Sequence, residues 1–245
     1  MIIVRPEDVF HKAQLLRLLI EIADHPFVST ALYFKGGTCA SMLGFLDRFS
    51  VDLDFDLKPD TSQHLVKNEL LKIFQTLGLI VKAQSKKTLS FVLQYKSQPG
   101  QRNTLKLTVL PINTTSNAYQ PQYLGEIDRI LICQTIETMV ANKLVAPLDR
   151  YRRYRSVAGR DFYDINHFFL QGYDYQPKII VERTHMSVAH FLKKLIDFTE
   201  KKLTQTVINE DLNVLLPKEA FQKIRKTLKT EVIMMLHNEL ERIKK

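Results

Sequence analysis

Apolar residues recur at helical spacing through VFHKAQLLRLLIEIADHPF, where Val9, Phe10, Leu15, Leu18, Leu19 and Ile22 predict one amphipathic helix opened by Pro6, Glu7 and Asp8. ALYF reads as a strand that ends at Lys35, Gly36 and Gly37. Thr38 is placed to cap a short helix through CASMLGFL, ending near Asp47. VDLDFDL alternates strictly between polar and apolar and predicts a strand. A helix from Ser62 to about Leu77 follows, then the strands LIVKA, LSFVLQY and TLKLTVL between polar, Gly- or Pro-bearing turns. This first part is an α+β unit with a small mixed sheet. From Tyr119 the pattern changes. NAYQPQYLGE reads as a connection and ILIC as a short strand, after which helical periodicity dominates. TIETMVANKLVAPLDRY starts at an N-cap Thr135 and is expected to bend or stop near Pro147. RDFYDINHFFLQG forms a helix closed by Gly172, and SVAHFLKKLIDFTEKKL forms another. A long basic helix ends the chain, with Phe221, Ile224, Leu228, Val232, Met235 and Leu236 as its packing stripe. The expected division is a core over residues 1–125 and a mainly helical domain over residues 126–245. There is no internal repeat and no low-complexity tract.

At 245 residues with 45% apolar and 25% charged side chains, the chain has enough apolar surface for working cores and lacks the composition of a disordered segment. Cys39 and Cys133 lie in apolar surroundings without metal-ligand or redox-motif spacing, which suits buried thiols in a reducing, cytoplasmic setting. The opening MIIVRPEDVF carries charge too early for a secretory signal, and no apolar run reaches the roughly 18 residues that a membrane-spanning helix needs. No membrane partner is therefore expected. A net charge of +9 suits a polyanionic partner, because phosphate contacts release counterions, although a solvated basic surface gives the same balance. None of the seven histidines stands in an HxH or HExxH pair, which argues against zinc.

The sharpest chemical signal is the acidic strand. Residues two apart share a strand face, so Asp52, Asp54 and Asp56 point one way while Leu53, Phe55 and Leu57 point toward a core. Neighbouring carboxylates on that face lie roughly 7 Å apart and repel by about 2 kcal/mol at an effective dielectric of about 20. A hard divalent cation relieves this, and Mg²⁺ characteristically takes one or two protein carboxylates together with phosphates and water. The competing reading is a solvent-facing strand whose acids keep an edge soluble. Upstream, a strand runs into Gly36 and Gly37 at a helix start, where backbone amides can approach a phosphate, with Lys35 as an adjacent cation.

The ordered set KGGTCASMLGFLDRFSVDLDF resembles the KGGT, Arg-x-Ser and DLDF signature of the AbiEii/AbiGii toxin family, a branch of the nucleotidyltransferases with a DNA-polymerase-β-like catalytic fold. Downstream, TIETMVANKLVAPLDRYRRYRSVAGRDFYDINHF is similar to that family's lysine-bearing helix and RDxYDL motif, with Ile165 in place of the leucine. Together these cover most of residues 15–170. The resemblance implies an enzyme that moves a nucleotide from an NTP to a hydroxyl, with Mg²⁺ or Mn²⁺ as cofactor. It further implies the toxin of a type IV toxin-antitoxin or phage-defence system with a separately encoded antitoxin, and a tRNA 3′ end or other RNA as the favoured acceptor. By position, Asp52 and Asp54 hold the metal, while Lys35, Gly36, Gly37, Thr38, Arg48, Ser50 and Arg160 bind nucleotide. Lys143 meets phosphates or transition-state charge, and Asp164 acts on the acceptor or positions neighbouring groups.

Each assignment has a plainer counterpart. Asp161 and Asp164 fall in a first helical turn, where acids favour the macrodipole, and for Asp161 this capping role is the preferred reading. Lys143 among Met139, Val140, Leu144 and Val145 has the pattern of a snorkelling lysine. Arg48 suits phosphate or a structural pair with Asp54 or Asp56, Ser50 suits a turn cap, and Asp56 is read as supporting the site or as solvated. TLKLTVL offers Lys106 and Thr108 where related folds carry a third carboxylate, so a two-metal site is not expected to be complete. RYRRYR, residues 150–155, reads equally as an RNA-tracking segment and as a cationic helix end. Two other functions remain open: transfer to a protein or small-molecule hydroxyl, and a catalytically lapsed nucleotide- or RNA-binding module.

Overall fold

The computed structural model describes residues 5–244, so Met1–Val4, which open the segment inspected for a secretory signal, lie outside the described residues. The chain divides into two compact units, one formed by Met1–Asn113 with Ala118–Thr135 and the other by Thr114–Asn117 with Ile136–Lys245.

The first unit is built on a seven-stranded mixed sheet, one strand wider than the alternation alone predicts. After a 3-10 turn at Pro6–Asp8, its elements are α1 (Val9–Asp24), α2 (Val28–Ala31), β1 (Leu32–Lys35), α3 (Gly36–Met42), β2 (Asp52–Leu57) and α4 (Gln63–Thr76). β3 (Ile80–Gln84), β4 (Leu89–Gln94), β5 (Thr104–Pro111), β6 (Tyr119–Leu124) and β7 (Arg129–Gln134) complete it. The strand order is β3-β4-β5-β2-β1-β7-β6, with β2 parallel to β5 and β1 parallel to β7. One sheet face carries Phe34, Leu53, Phe55, Phe91, Leu93, Leu105 and Leu107, all buried. Leu15, Leu18, Leu19 and Ile22 of α1 and Val66, Leu70 and Phe74 of α4 are buried in the same core. Period 2 in the strands and period 3.6 in the helices thus meet in one core.

Four expectations need correction here. Val9 and Phe10 are 56% and 42% exposed, and Phe10 meets the Tyr95 ring edge-on at 5.8 Å instead of entering the core. The helix after β1 begins at Gly36 with Lys35 as its N-cap, so Thr38 is a buried residue within the helix rather than its cap. That helix ends at Met42, well before Asp47. The supposed connection NAYQPQYLGE contains β6, which pairs antiparallel with β7 from Tyr119↔Gln134 to Leu124↔Arg129. Pro121 is tolerated there because β6 is an edge strand.

The second unit is helical: α5 (Ile136–Tyr154), α6 (Gly159–Leu170), α7 (Pro177–Thr184), α8 (Val188–Lys202), α9 (Gln205–Leu212) and α10 (Lys218–Arg242). Pro147 does not stop α5, which continues to Tyr154. The proline removes only the amide that would close on the carbonyl of Lys143, and the buried face of the helix (Val140, Leu144, Val145, Pro147) holds it in place. Gly172 follows α6 with φ 72°, the left-handed conformation expected of a helix-closing glycine. Phe221, Leu228, Val232 and Leu236 of α10 are buried as the stripe predicts, whereas Ile224 and Met235 are half-buried.

Candidate active site

In the first unit the signature residues converge on one turn. β1 pairs antiparallel with β2, and its register sets Lys35 opposite Asp54 and Tyr33 opposite Asp56. At Gly36 the chain takes φ +79°, a conformation that side chains disfavour, and it does so against the Asp54 carboxylate. A Cβ on Gly36 would lie 2.8 Å from Asp54 Oδ2. One on Gly37 would lie 2.9 Å from Ser50 Oγ and 3.1 Å from an Arg48 guanidinium nitrogen. Glycine is therefore required at position 36, where φ is positive and Asp54 presses on the backbone, while at Gly37 the crowding comes from the side-chain ends of Ser50 and Arg48. Residues separated by more than ten positions in sequence make a single cluster.

Further hydrogen bonds fix the two segments together. The Thr38 hydroxyl donates to the Asp52 carbonyl at 2.5 Å, and the Ser41 hydroxyl donates to the Arg48 carbonyl at 3.2 Å. Arg48 is only 3% exposed and donates to the Phe49 carbonyl at 3.0 Å. On α1, buried His11 bonds the Val51 carbonyl through Nε2 at 2.9 Å and the Tyr95 hydroxyl through Nδ1 at 2.6 Å. A carbonyl only accepts, so Nε2 carries the proton and Nδ1 accepts from the tyrosine. Burial also holds the His11 pKa below its usual value, which agrees with this neutral ring. The strand that presents the acids is thus pinned immediately before Asp52.

Asp56 is not solvated. It is buried, and its carboxylate accepts from Lys35 Nζ at 2.5 Å, Tyr119 Oη at 2.8 Å and Gln134 Nε2 at 2.9 Å. Lys35, assigned to nucleotide from the signature, is held in place by Asp56. Tyr119 and Gln134 were not singled out in the sequence. The signal was the alternation of Tyr119, Pro121 and Tyr123, which the proline disguised as a connection.

Asp52 and Asp54 are half-buried on the polar face of β2, and the parallel register sets Lys106 beside Asp52 and Thr108 beside Asp54. Neither neighbour is a carboxylate, and among the described residues no group of three or more His, Cys, Asp or Glu forms a metal cage. The donor set fits one hard divalent ion that takes its remaining ligands from phosphate and water, and does not fit a second ion held by protein alone.

In the second unit, α5 and α6 bring Lys143, Arg150, Asp161 and Asp164 together. Lys143 Nζ lies 2.9 Å from Asp164 Oδ2 and 3.4 Å from Asp161 Oδ1, and Arg150 Nε lies 2.8 Å from Asp161 Oδ2. Lys143 and Arg150 are two turns apart on α5, and Asp161 and Asp164 are i,i+3 neighbours on α6, so each pair shares a face. Both acids are buried. Burial opposes the charge on Asp161, but Lys143 and Arg150 outweigh it and leave its pKa below the ordinary carboxylate value. Asp161 lies in the first turn of α6, yet its oxygens go to two cations on another helix, which corrects the capping assignment. Arg160 pairs with Asp211, to which it donates from its backbone amide at 2.9 Å and its guanidinium at 3.0 Å.

Solved structures with this architecture include JHP933 from Helicobacter pylori, 19% identical with a TM-score of 0.63, the match covering 99% of this chain and 97% of that one. Another is the nucleotidyltransferase toxin MenT4 from Mycobacterium tuberculosis, 20% identical with a TM-score of 0.53 over 97% of this chain and 88% of that one. These likenesses establish a shared nucleotidyltransferase fold. No curated protein matches the chain at a significant level. A family model described as "Nucleotidyl transferase AbiEii toxin, Type IV TA system" matches residues 17–234, from α1 to within α10, so both the glycine-acid cluster and the α5–α6 charge cluster lie inside it. This nucleotidyltransferase belongs to the AbiEii family of type IV toxins.

Proposed function

We propose that the protein transfers a nucleotide from an NTP to the 3′-terminal hydroxyl of a tRNA, with Asp52 and Asp54 holding one Mg²⁺ or Mn²⁺. The observation that carries this reading is the approach of Asp54 to Gly36, which sets a carboxylate against the helix-start turn suited to a triphosphate. Amides of Gly36, Gly37 and Thr38 bind phosphate oxygens, with Arg48, Ser50 and Lys35 stabilising the turn and its charge. The metal, when bound, neutralises charge on the phosphates and aligns the reacting oxygen. The acceptor oxygen forms a bond to the α-phosphorus, the bond from that phosphorus to pyrophosphate breaks, and the hydroxyl proton leaves to base or water. Within the helical unit, Lys143, its ammonium fixed by Asp161 and Asp164, and Arg160, held by Asp211, are the cations offered to a polyanionic substrate. The net charge of +9 supports an RNA acceptor. The family supports a separately encoded antitoxin as partner, a role in phage defence and a cytoplasmic site of action.

The test incubates the full chain with each labelled NTP, Mg²⁺ or Mn²⁺ and total RNA, beside an Asp52→Ala, Asp54→Ala variant of verified fold. Label on RNA that disappears with the double substitution is the expected result. Transfer that survives it rejects the metal assignment, label appearing only on protein or small-molecule acceptors rejects the RNA acceptor, and metal-independent NTP binding without transfer to any acceptor rejects catalysis.

A further inference from the structure

RYRRYR divides into two halves once its contacts are known. Arg150 is committed to Asp161, and Arg152 pairs with Asp149 at 3.2 Å. Tyr151 is packed edge-on against Phe198, with centroids 5.3 Å apart. Two cations lie over its ring: the Arg155 guanidinium at 5.6 Å and Lys202 Nζ at 5.2 Å. Arg155 reaches that place because the chain turns there with φ 55°, folding back at the end of α5. The other half is exposed. Tyr154 is 71% accessible, and Arg153 and Arg155 beside it are exposed as well. Among the described residues no ion pair or side-chain hydrogen bond engages Arg153.

A cationic helix end alone needs no aromatic side chain. Here Tyr154 is an i,i+3 neighbour of Tyr151, so the exposed ring shares a face with the packed ring and its two cations. The combination supplies what an unpaired nucleotide strand requires: an open aromatic face for a base, and cations within reach of the adjoining phosphates. Duplex RNA offers no unstacked base to such a ring. We propose that Tyr154 and Arg153, on the same helix end as the Tyr151 ring with its Arg155 and Lys202 cations, form a stacking platform for an unpaired RNA strand.

The inference deepens the RNA-acceptor reading and rests on it for its biological meaning, but it is read by binding alone. The probes are a fluorescein-labelled single-stranded RNA 12-mer, an RNA duplex of equal length and a fluorescein-labelled acidic peptide. Each is titrated with the full chain by anisotropy across a KCl series, without NTP or divalent metal. Tyr154→Ala is expected to weaken single-strand binding about tenfold with an unchanged salt slope, and Tyr154→Phe to restore it. Arg153→Gln is expected to reduce the salt slope by about 0.7. Because these side chains are exposed, equal melting temperatures will separate binding loss from unfolding. Tyr154→Ala binding single strands as the parent does, equal affinity for duplex that ignores Tyr154, or binding of the acidic peptide alone would each overturn the proposal. A failed transfer reaction with intact Tyr154-dependent RNA binding rejects the catalytic reading and leaves the platform standing.

Discussion

Gly36 and Gly37 are adjacent and both crowded, but their constraints differ. At Gly36 the obstruction includes the Cβ of Asp54 at 3.0 Å, which cannot rotate away, and the backbone has φ +79°. At Gly37 the nearest atom is the hydroxyl of Ser50, the movable end of a short side chain, and φ is not positive. Gly36→Ala should therefore destabilise the protein by about 2 kcal/mol, combining the left-handed penalty with displacement of Asp54, whereas Gly37→Ala should cost about 1 kcal/mol or less. Urea unfolding measures both, with Gly44→Ala as a control for a positive φ in open space. Nucleotide transfer by Gly36→Ala should fall about a hundredfold, the typical effect of shifting a reacting group by about an ångström. Equal costs at the two glycines would refute this distinction. The sequence made the Gly-Gly turn, Arg48, Ser50 and the paired acids legible as a set because their order is unusual. It could not assign Asp56, since alternation places a residue on a face without saying what covers it. Lys35, Tyr119 and Gln134, drawn from three other places in the chain, provide that cover.

Elements were legible wherever one period persisted. α1, α4, α6, α8 and α10, and strands β2, β4 and β5, follow from runs that hold a period of 3.6 or 2. β6 was lost because proline in a polar run reads as a break, and only its place at the sheet edge makes the strand acceptable. α7 and α9, of eight residues each, are too short to display two full apolar repeats. α5 was expected to bend or stop near Pro147, yet it runs on to Tyr154, because the burial of its apolar face outweighs the lost amide. The charge cluster between these helices can be tested by a double-mutant cycle. Arg150→Met leaves Asp161 with Lys143 alone, and Asp161→Leu leaves Arg150 without its partner, so each should cost about 3 kcal/mol as the breaking of a buried pair does. The double substitution should cost less than the sum by about 2 kcal/mol, because it removes both charges and leaves Lys143 matched to Asp164. Additive losses in urea unfolding would show that the contact carries no coupling.

For the whole molecule, acid should act in two pH ranges. In the first unit, burial depresses the pKa of His11 below its ordinary 6.5, so the folded state favours the neutral ring that donates to the Val51 carbonyl. Between the folded and unfolded pKa values the unfolded chain binds more protons, and this contribution declines as pH falls below about 6.5. In the second unit, Glu182 loses some hydration on folding, but hydrogen bonds from the amides of Thr115 and Ser116 dominate and lower its pKa to about 2. The lowered pKa of Asp161 has the same sign, so stability from both carboxylates is present above the ordinary carboxylate range and lost as pH falls through it. Urea midpoints followed from pH 7.5 to 3 should therefore descend in two stages, the first beginning near pH 6.5 and the second below about pH 4.5. His11→Gln should flatten only the upper stage, and Glu182→Gln should reduce only the lower one while weakening the protein by about 1 kcal/mol at neutral pH through the lost charge-assisted bonds. A single acid transition that neither substitution alters would place the pH dependence elsewhere.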